Sequence, residues 1–359
     1  MAFQKDEPIQ FQDCKLQVPP GRRYISYDSH KPMLLNLKRV IRESLLSAVN
    51  RKRLKNGMKT LMEKQSTPIF FIFTPDIIHF APYCIPKDVE GFEPVLILNA
   101  VSDEDAKWLR EIHPQYLIIQ LKTSLSGNAH SMLGHGDVLN DLFATVGKPF
   151  CIQDPDCFVI NAGFWKQVSL IPEHDMAAGP FTKKPTDHDH VLPDTFFLMF
   201  NPALFKSICS RYQITASVTQ SLIPLAQKKV GEMGYATDQY PENFKGYFDT
   251  LQAFWVLALA EGYKFKKIPG AGRDVFHIGG TSYLHNSDYD LSHWDYWPLS
   301  VIYFNLKLLE LPGGERFRGR FKQLFDQYGS SDGLLSAYPQ FMDTWRYKEM
   351  QTIIEWIVG

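Results

Sequence analysis

Two aspartates separated by a proline, Asp154-Pro155-Asp156, directly follow the apolar run Phe150-Cys-Ile-Gln153. On an extended segment, residues two apart face the same side, so the two carboxylates would present themselves together. The proline between them fixes φ and stiffens the turn. Such a pair suits a hard divalent cation, which takes oxygen ligands and shares them with substrate phosphates. The cation in turn offsets charge that builds on a diphosphate leaving group. A solvated acidic turn is the competing reading. The buried strand before the turn sets it apart, because ligands of open α/β sheets bind beyond the carboxyl ends of strands.

Other constellations carry less. Asp187-His-Asp-His190 alternates acids and imidazoles between Lys183-Lys-Pro185 and Pro193. It lacks the H-E-x-x-H spacing of a zinc hydrolase and reads as a loop near an active site rather than a zinc centre. The glycines at 127, 134 and 136 form neither a G-x-G-x-x-G nor a Walker A sequence, which disfavours dinucleotide and P-loop chemistry. No G-x-S-x-G elbow is present. The five cysteines are scattered, odd in number and without a C-x-x-C pair, arguing against a disulfide framework or a zinc ribbon. Reduced thiols in a cytoplasm are the expectation.

The elements that must position the acidic turn are legible as a rhythm. Pro68–Thr74, Pro94–Asn99, Tyr116–Leu121 and Phe150–Gln153 are short β-rich apolar runs, as in strands buried on both faces. Between them, Ser102 caps a helix with acids in its first turn, and Asp137–Val146 forms another, stopped by Gly147-Lys-Pro149. Alternating strands and helices predict an α/β fold with a mostly parallel sheet. Further on, Thr195–Phe200 reads as a strand and Pro202–Tyr212 as a helix that Asn201 would cap. Thr250–Gly262 reads as an apolar helix, Phe265–Ile268 as a strand and Val275–Tyr283 as a glycine-bearing loop. From Leu299 the chain reads as aromatic-rich helices.

Ahead of the first strand, Met33 to about Lys64 has helical periodicity, with Leu34, Leu37, Ile41, Leu45 and Val49 as its apolar stripe. Between Lys31 and Lys64, ten basic residues against Glu43 and Glu63 make this a candidate surface for an anionic membrane. The alternative is a helix packed on the domain with solvated lysines. The net charge of −1 offers no global field for nucleic acid. The first residues lack the apolar core of a signal peptide, and no apolar run reaches the roughly 20 residues of a membrane span. At 359 residues, 45% hydrophobic and 21% charged, the composition is that of a globular enzyme. Trp294-Asp-Tyr-Trp297 could stack on sugar faces, but tryptophans are more often core or interface residues.

Over residues 67–285 the sequence resembles the GT-A glycosyltransferases, in particular the family 2-like group. The resemblance rests on four parts. They are the strand Ile69–Thr74, the stretch Gly127–Gly136 leading into a helix, the D-x-D strand Phe150–Asp156, and Gly246-Tyr-Phe-Asp-Thr250 followed later by Phe276-His-Ile-Gly-Gly280. It implies Asp156 as principal ligand of Mn²⁺ or Mg²⁺, Asp154 on the metal or the ribose, and His277 completing the metal shell. Thr74, Asn99, Asn128 and His135 would join Asp154 in binding the nucleotide donor, and Asp194 would hold the donor sugar or the acceptor.

Asp249 would be the general base for an inverting transfer, with an N-cap of the following helix as its other reading. For His277 a satisfied loop histidine is the alternative. Only one acid stands at the acceptor-side motif, since Phe248 precedes Asp249, and no Gln-x-x-Arg-Trp follows, which argues against a processive polysaccharide synthase.

The implied activity is metal-dependent transfer of a sugar from a nucleotide sugar to a hydroxyl of a glycan or lipid-linked glycan. A nucleotidyltransferase, or a non-catalytic carbohydrate-binding or scaffold protein of the same fold, are the alternatives. The expected organisation is an N-terminal segment (1–66) with the basic helix, a GT-A catalytic domain (67–290) and a helical C-terminal extension (291–359). The expected location is the cytoplasm, peripheral to the inner face of a membrane.

Overall fold

The computed structural model describes residues 33–86, 89–124, 132–169, 175–181, 192–216, 223–234, 250–280 and 297–359. Strands β1 (Thr67–Phe73), β2 (Phe92–Leu98), β3 (Leu117–Gln120) and β4 (Phe150–Gln153) are parallel neighbours in the order β3-β2-β1-β4. Three further strands extend this sheet: β6 (Asp175–Gly179), β7 (Phe197–Phe200) and β8 (Lys264–Lys267), in the order β4-β7-β6-β8. β7 is antiparallel to both its neighbours, and β8 is parallel to β6. A second, two-stranded sheet pairs β5 (Cys157–Val159) with β9 (Val275–His277).

Because side chains alternate along a strand, the large sheet feeds two cores. Ile69, Phe71, Phe73, Leu96, Leu98, Cys151 and Phe197 face one, together with the C-terminal helices α10 (Trp297–Glu310) and α13 (Trp345–Val358). Phe70, Ile72, Val95, Ile97, Phe150 and Phe200 face the other, covered by α5 (His135–Thr145), α7 (Pro202–Tyr212) and α9 (Gln252–Ala260). Burial on both faces is why the strands read as unbroken apolar runs rather than alternating ones.

Ser102 accepts from the Asp105 amide and caps α4 (Asp103–Ile112), as expected. Three expectations change. The basic segment is two helices, α1 (Met33–Gly57) and α2 (Lys59–Glu63), and over residues 43–63 its buried stripe is Leu46, Asn50, Leu54, Met58 and Leu61; the side chains of Leu34, Leu37 and Ile41 lie outside those described. Leu45 is 52% exposed. The phase is shifted by one residue because a polar side chain sits in the stripe. The Asn50 amide donates to the Lys122 carbonyl (2.9 Å) and accepts from its N–H (2.8 Å), so it is satisfied while buried.

Val275–His277 is a strand rather than a loop, formed by pairing with β5, which is equally short and equally invisible to periodicity. Asn201 occupies the N-cap position of α7 without a side-chain cap bond. β6 also escaped the sequence reading, since Ala177-Ala178-Gly179 has little β propensity. Its small residues answer to packing: a Cβ on Gly179 would stand 2.6 Å from the Phe197 carbonyl oxygen. Among the described residues, no helix is long and apolar enough to cross a membrane.

Candidate metal and donor site

The strand order fixes where a ligand can sit. β1, β2 and β3 wind outward in one direction, and β4 then adds on the other side of β1, so the order reverses between β1 and β4. Crevices beyond the carboxyl ends at such a reversal are the ligand sites of open α/β sheets. Thr74 follows β1 and Asp154 follows β4, so both stand at this end.

Asp154, Pro155 and Asp156 form a turn closed from several directions. The Cys157 N–H donates to the Asp154 carbonyl (2.9 Å), and the Asp154 N–H donates to the Phe196 carbonyl (2.8 Å). The buried Gln153 side chain spans the turn, its Nε2 donating to the Cys157 carbonyl (2.7 Å). From Cys157 the chain runs straight into β5, whose register sets Cys157 opposite His277 of β9. The Ile278 N–H then donates to the Asp156 carbonyl (3.0 Å).

This pairing carries His277 to the acidic turn. His277 Nε2 lies 3.3 Å from Asp156 Oδ1, and Asp154, Asp156 and His277 each offer a ligand atom within 4.8 Å of the others. Phe196 lies nearly flat on the imidazole, with ring centroids 4.4 Å apart and planes at 17°. Asp156 is buried at 8% exposure, whereas the His277 side chain keeps 30% of its surface. The cluster is thus built into the fold but reachable from one side.

Electrostatics matches the geometry. Burial pushes the His277 pKa down, yet Asp156 by charge and hydrogen bond, then Asp154 and Asp194, outweigh it and hold the pKa above the ordinary histidine value. Carboxylates that draw a proton onto a partly buried imidazole are a site that attracts positive charge. Two carboxylates and an imidazole whose ligand atoms lie within 4.8 Å of one another are a donor set suited to a divalent cation such as Mn²⁺ or Mg²⁺. The neighbouring thiols do not compete: burial raises Cys84, Cys151 and Cys157 well above the usual range, with Asp154 and Asp156 adding to the effect at Cys157. They remain neutral thiols and poor metal ligands.

The remaining sequence candidates among the described residues are not part of this cluster of ligand atoms. Asp194 acts on His277 through its charge, and its N–H donates to the Pro180 carbonyl (3.3 Å). The Thr74 hydroxyl is buried with no hydrogen-bond partner among the described residues. Asn99, 1% exposed, holds Leu133 at two points: its Nδ2 donates to the carbonyl (2.8 Å) and its Oδ1 accepts from the N–H (2.9 Å). It thereby anchors the chain just before His135, the first residue of α5. Asn128, Asp249, the Asp187–His190 cluster and Trp294–Tyr296 lie outside the described residues. The N-cap position of α9 is Leu251, in the left-handed region at φ 69°. Gln153 and Phe196 were not singled out from sequence; a glutamine and a phenylalanine ending or entering an apolar strand give no signal of the contacts they make.

A mostly parallel sheet whose order reverses beside a carboxylate–imidazole cluster, flanked by helices on both faces, is the GT-A-like α/β arrangement that the sequence leads one to expect. Residues 47–205, from α1 through β7 into α7, match the model described as the StrH glycosyltransferase N-terminal domain. No curated protein sequence matches significantly. Among solved structures, the glycosyltransferase GlyE of Streptococcus pneumoniae TIGR4 is similar at 12% identity and a TM-score of 0.34, over 64% of this chain and 52% of that one. The chain thus spans about half the length of GlyE. A mannosyltransferase of Pyrobaculum calidifontis, PcManGT, solved with GDP-Man and Mn²⁺, is similar at 14% identity and a TM-score of 0.29, over 88% of this chain and 93% of that one.

Proposed function

We propose that this chain transfers a sugar from a nucleotide-sugar donor to a hydroxyl of a carbohydrate or lipid-linked acceptor, using Mn²⁺ or Mg²⁺ at Asp154, Asp156 and His277. The observation that carries the reading is the convergence of these three side chains at the β1/β4 reversal. When bound there, the cation supplies charge stabilisation to the departing diphosphate. The chain's own residues hold the geometry. The Asp154–Asp156 turn is pinned to Phe196 and to β9, and the Phe196 ring shields one face of His277 from water. Thr74 would contribute to donor binding at the end of β1, Asp194 would hold the sugar or the acceptor, and Asp249 is the candidate base for the acceptor proton.

Thermal denaturation with nucleoside diphosphates tests this reading. UDP or GDP should raise the Tm only when Mn²⁺ or Mg²⁺ is present, and Asp156→Ala should remove that shift. Asp249→Ala should keep the shift and lose turnover of the accepted nucleotide sugar. Absence of any nucleotide shift in the wild type would favour a scaffold role, and an intact rate in Asp249→Ala would place the base elsewhere.

We also propose that the protein works at the inner face of a membrane. α1 and α2 pack their buried stripe on the domain and leave Lys52, Lys55 and Lys59 in solvent. These lysines would draw the molecule to anionic lipid at about 1 kcal/mol each. Sedimentation with phosphatidylserine vesicles should show binding that fades above a few hundred millimolar salt. Equal binding to neutral vesicles would contradict it.

A further inference from the structure

Arg346 is 6% exposed and lies in the first turn of α13, where a cation opposes the helix dipole. Its position is therefore unfavourable on local grounds and calls for compensation from tertiary contacts. Those contacts join three elements. Nη2 donates to the Ile278 carbonyl (2.8 Å), Nε to Ser300 Oγ of α10 (3.2 Å), and Nη1 to Glu349 Oε2 (3.1 Å). Ile278 is the residue after His277, and its N–H is the one bonded to the Asp156 carbonyl. Beyond it, Gly279 and Gly280 both adopt positive φ, 71° and 64°, a path that favours glycine and that the fixed Ile278 carbonyl helps define.

We propose that Arg346 is a positioning residue for the metal site. It holds the end of β9 from the far side, so that His277 stays against the Asp154–Asp156 turn. This rests on the metal-site reading above. The C-terminal helices are then part of the donor site, although none of their described residues belongs to the Asp154–Asp156–His277 cluster. The guanidinium is suited to this task because its planar fork reaches a carbonyl, a hydroxyl and a carboxylate at once. A lysine ammonium in the same place would be a point donor without that geometry.

The test uses the full chain with Arg346→Lys, Arg346→Gln and, as a control, Thr344→Ala. The control removes the N-cap of the same helix, whose hydroxyl accepts from the Tyr347 N–H, without touching Ile278. Mn²⁺ binding is read by the free-ion EPR signal, and protection of the Ile278 amide by hydrogen exchange. Loss of supporting contacts around metal ligands costs about 10–100-fold in affinity. Both Arg346 variants should therefore bind Mn²⁺ at least tenfold more weakly and exchange the Ile278 amide faster. Thr344→Ala should stay within twofold of wild type on both readouts.

Wild-type affinity in Arg346→Gln, or an equal loss in Thr344→Ala, would overturn the proposal. Were the wild type itself to bind no Mn²⁺, the metal reading would fall. The exchange readout would then decide alone, with unchanged Ile278 protection in Arg346→Gln counting against the arginine.

Discussion

Gln153 shows how a side chain outside the ligand set shapes the site. Its Nε2 clasps the Cys157 carbonyl, while its Oε1 is buried with no hydrogen-bond partner among the described residues. Gln153→Leu removes a donor from a buried carbonyl, a loss of about 1–3 kcal/mol, and removes an unsatisfied oxygen worth a similar amount. The two offset, so the Tm should change little, while the Asp154–Asp156 turn loses its clasp and Mn²⁺ affinity falls about tenfold. Titration of Mn²⁺ alongside thermal denaturation separates the two effects; a large Tm loss with unchanged affinity would contradict this account. Asp154 and Asp156 were legible as candidates because acids after a strand are a local pattern, and His277 only through the resemblance of Phe276–Gly280 to a family motif. Their convergence was not legible, since it depends on β5 and β9 pairing across a long stretch of chain. Phe196 and Arg346 had no signal, for their roles lie wholly in what they touch.

At the scale of elements, α1 and α5 meet through Asp141, whose carboxylate accepts from the Ser47 hydroxyl and from Arg51 Nε (2.9 Å). Burial raises the Asp141 pKa, and the Ser47 and Arg51 contacts only partly counter it. A carboxyl with a raised folded-state pKa contributes stability below its unfolded pKa, and that contribution is lost as pH rises through the folded value. Asparagine keeps both acceptor contacts without a charge to desolvate. Asp141→Asn should therefore match or slightly exceed the wild-type Tm at pH 7, and the difference should shrink or reverse below the carboxylate range. Denaturation at pH 7 and pH 4 checks the sign. The alternating elements from β1 to α5 were readable within a residue or two, because each is long and apolar enough to show its period. What escaped were β5, β6, β9, α3 (Ala81–Cys84) and α6 (Ala162–Val168), which are short and are held by their neighbours rather than by propensity, and also the longer helix α8 (Ile223–Met233).

For the whole molecule, the sheet and the C-terminal helices share one core. Phe80, Phe158 and Phe304 pack together, and Leu299, Phe317, Phe341 and Ile353 join the same cluster as Ile69 and Phe71. Each fully buried side chain of this size is worth about 1.5–3 kcal/mol, so several together exceed the roughly 5–15 kcal/mol of net stability a domain has. A chain ended at residue 296 should lose cooperative unfolding and bind a hydrophobic dye; a sharp two-state melt would show the sheet to be self-sufficient. The aromatic helices were foreseen, but not what they cover, since composition says nothing about which face of a sheet a helix will find.

That shared core also sets a timetable. During synthesis at about 5–20 residues per second, the Phe71 face of β1 emerges and then waits on the order of tens of seconds for α10 and α13. For that interval a flat apolar surface stands open to self-association, the interval in which a chaperone would act.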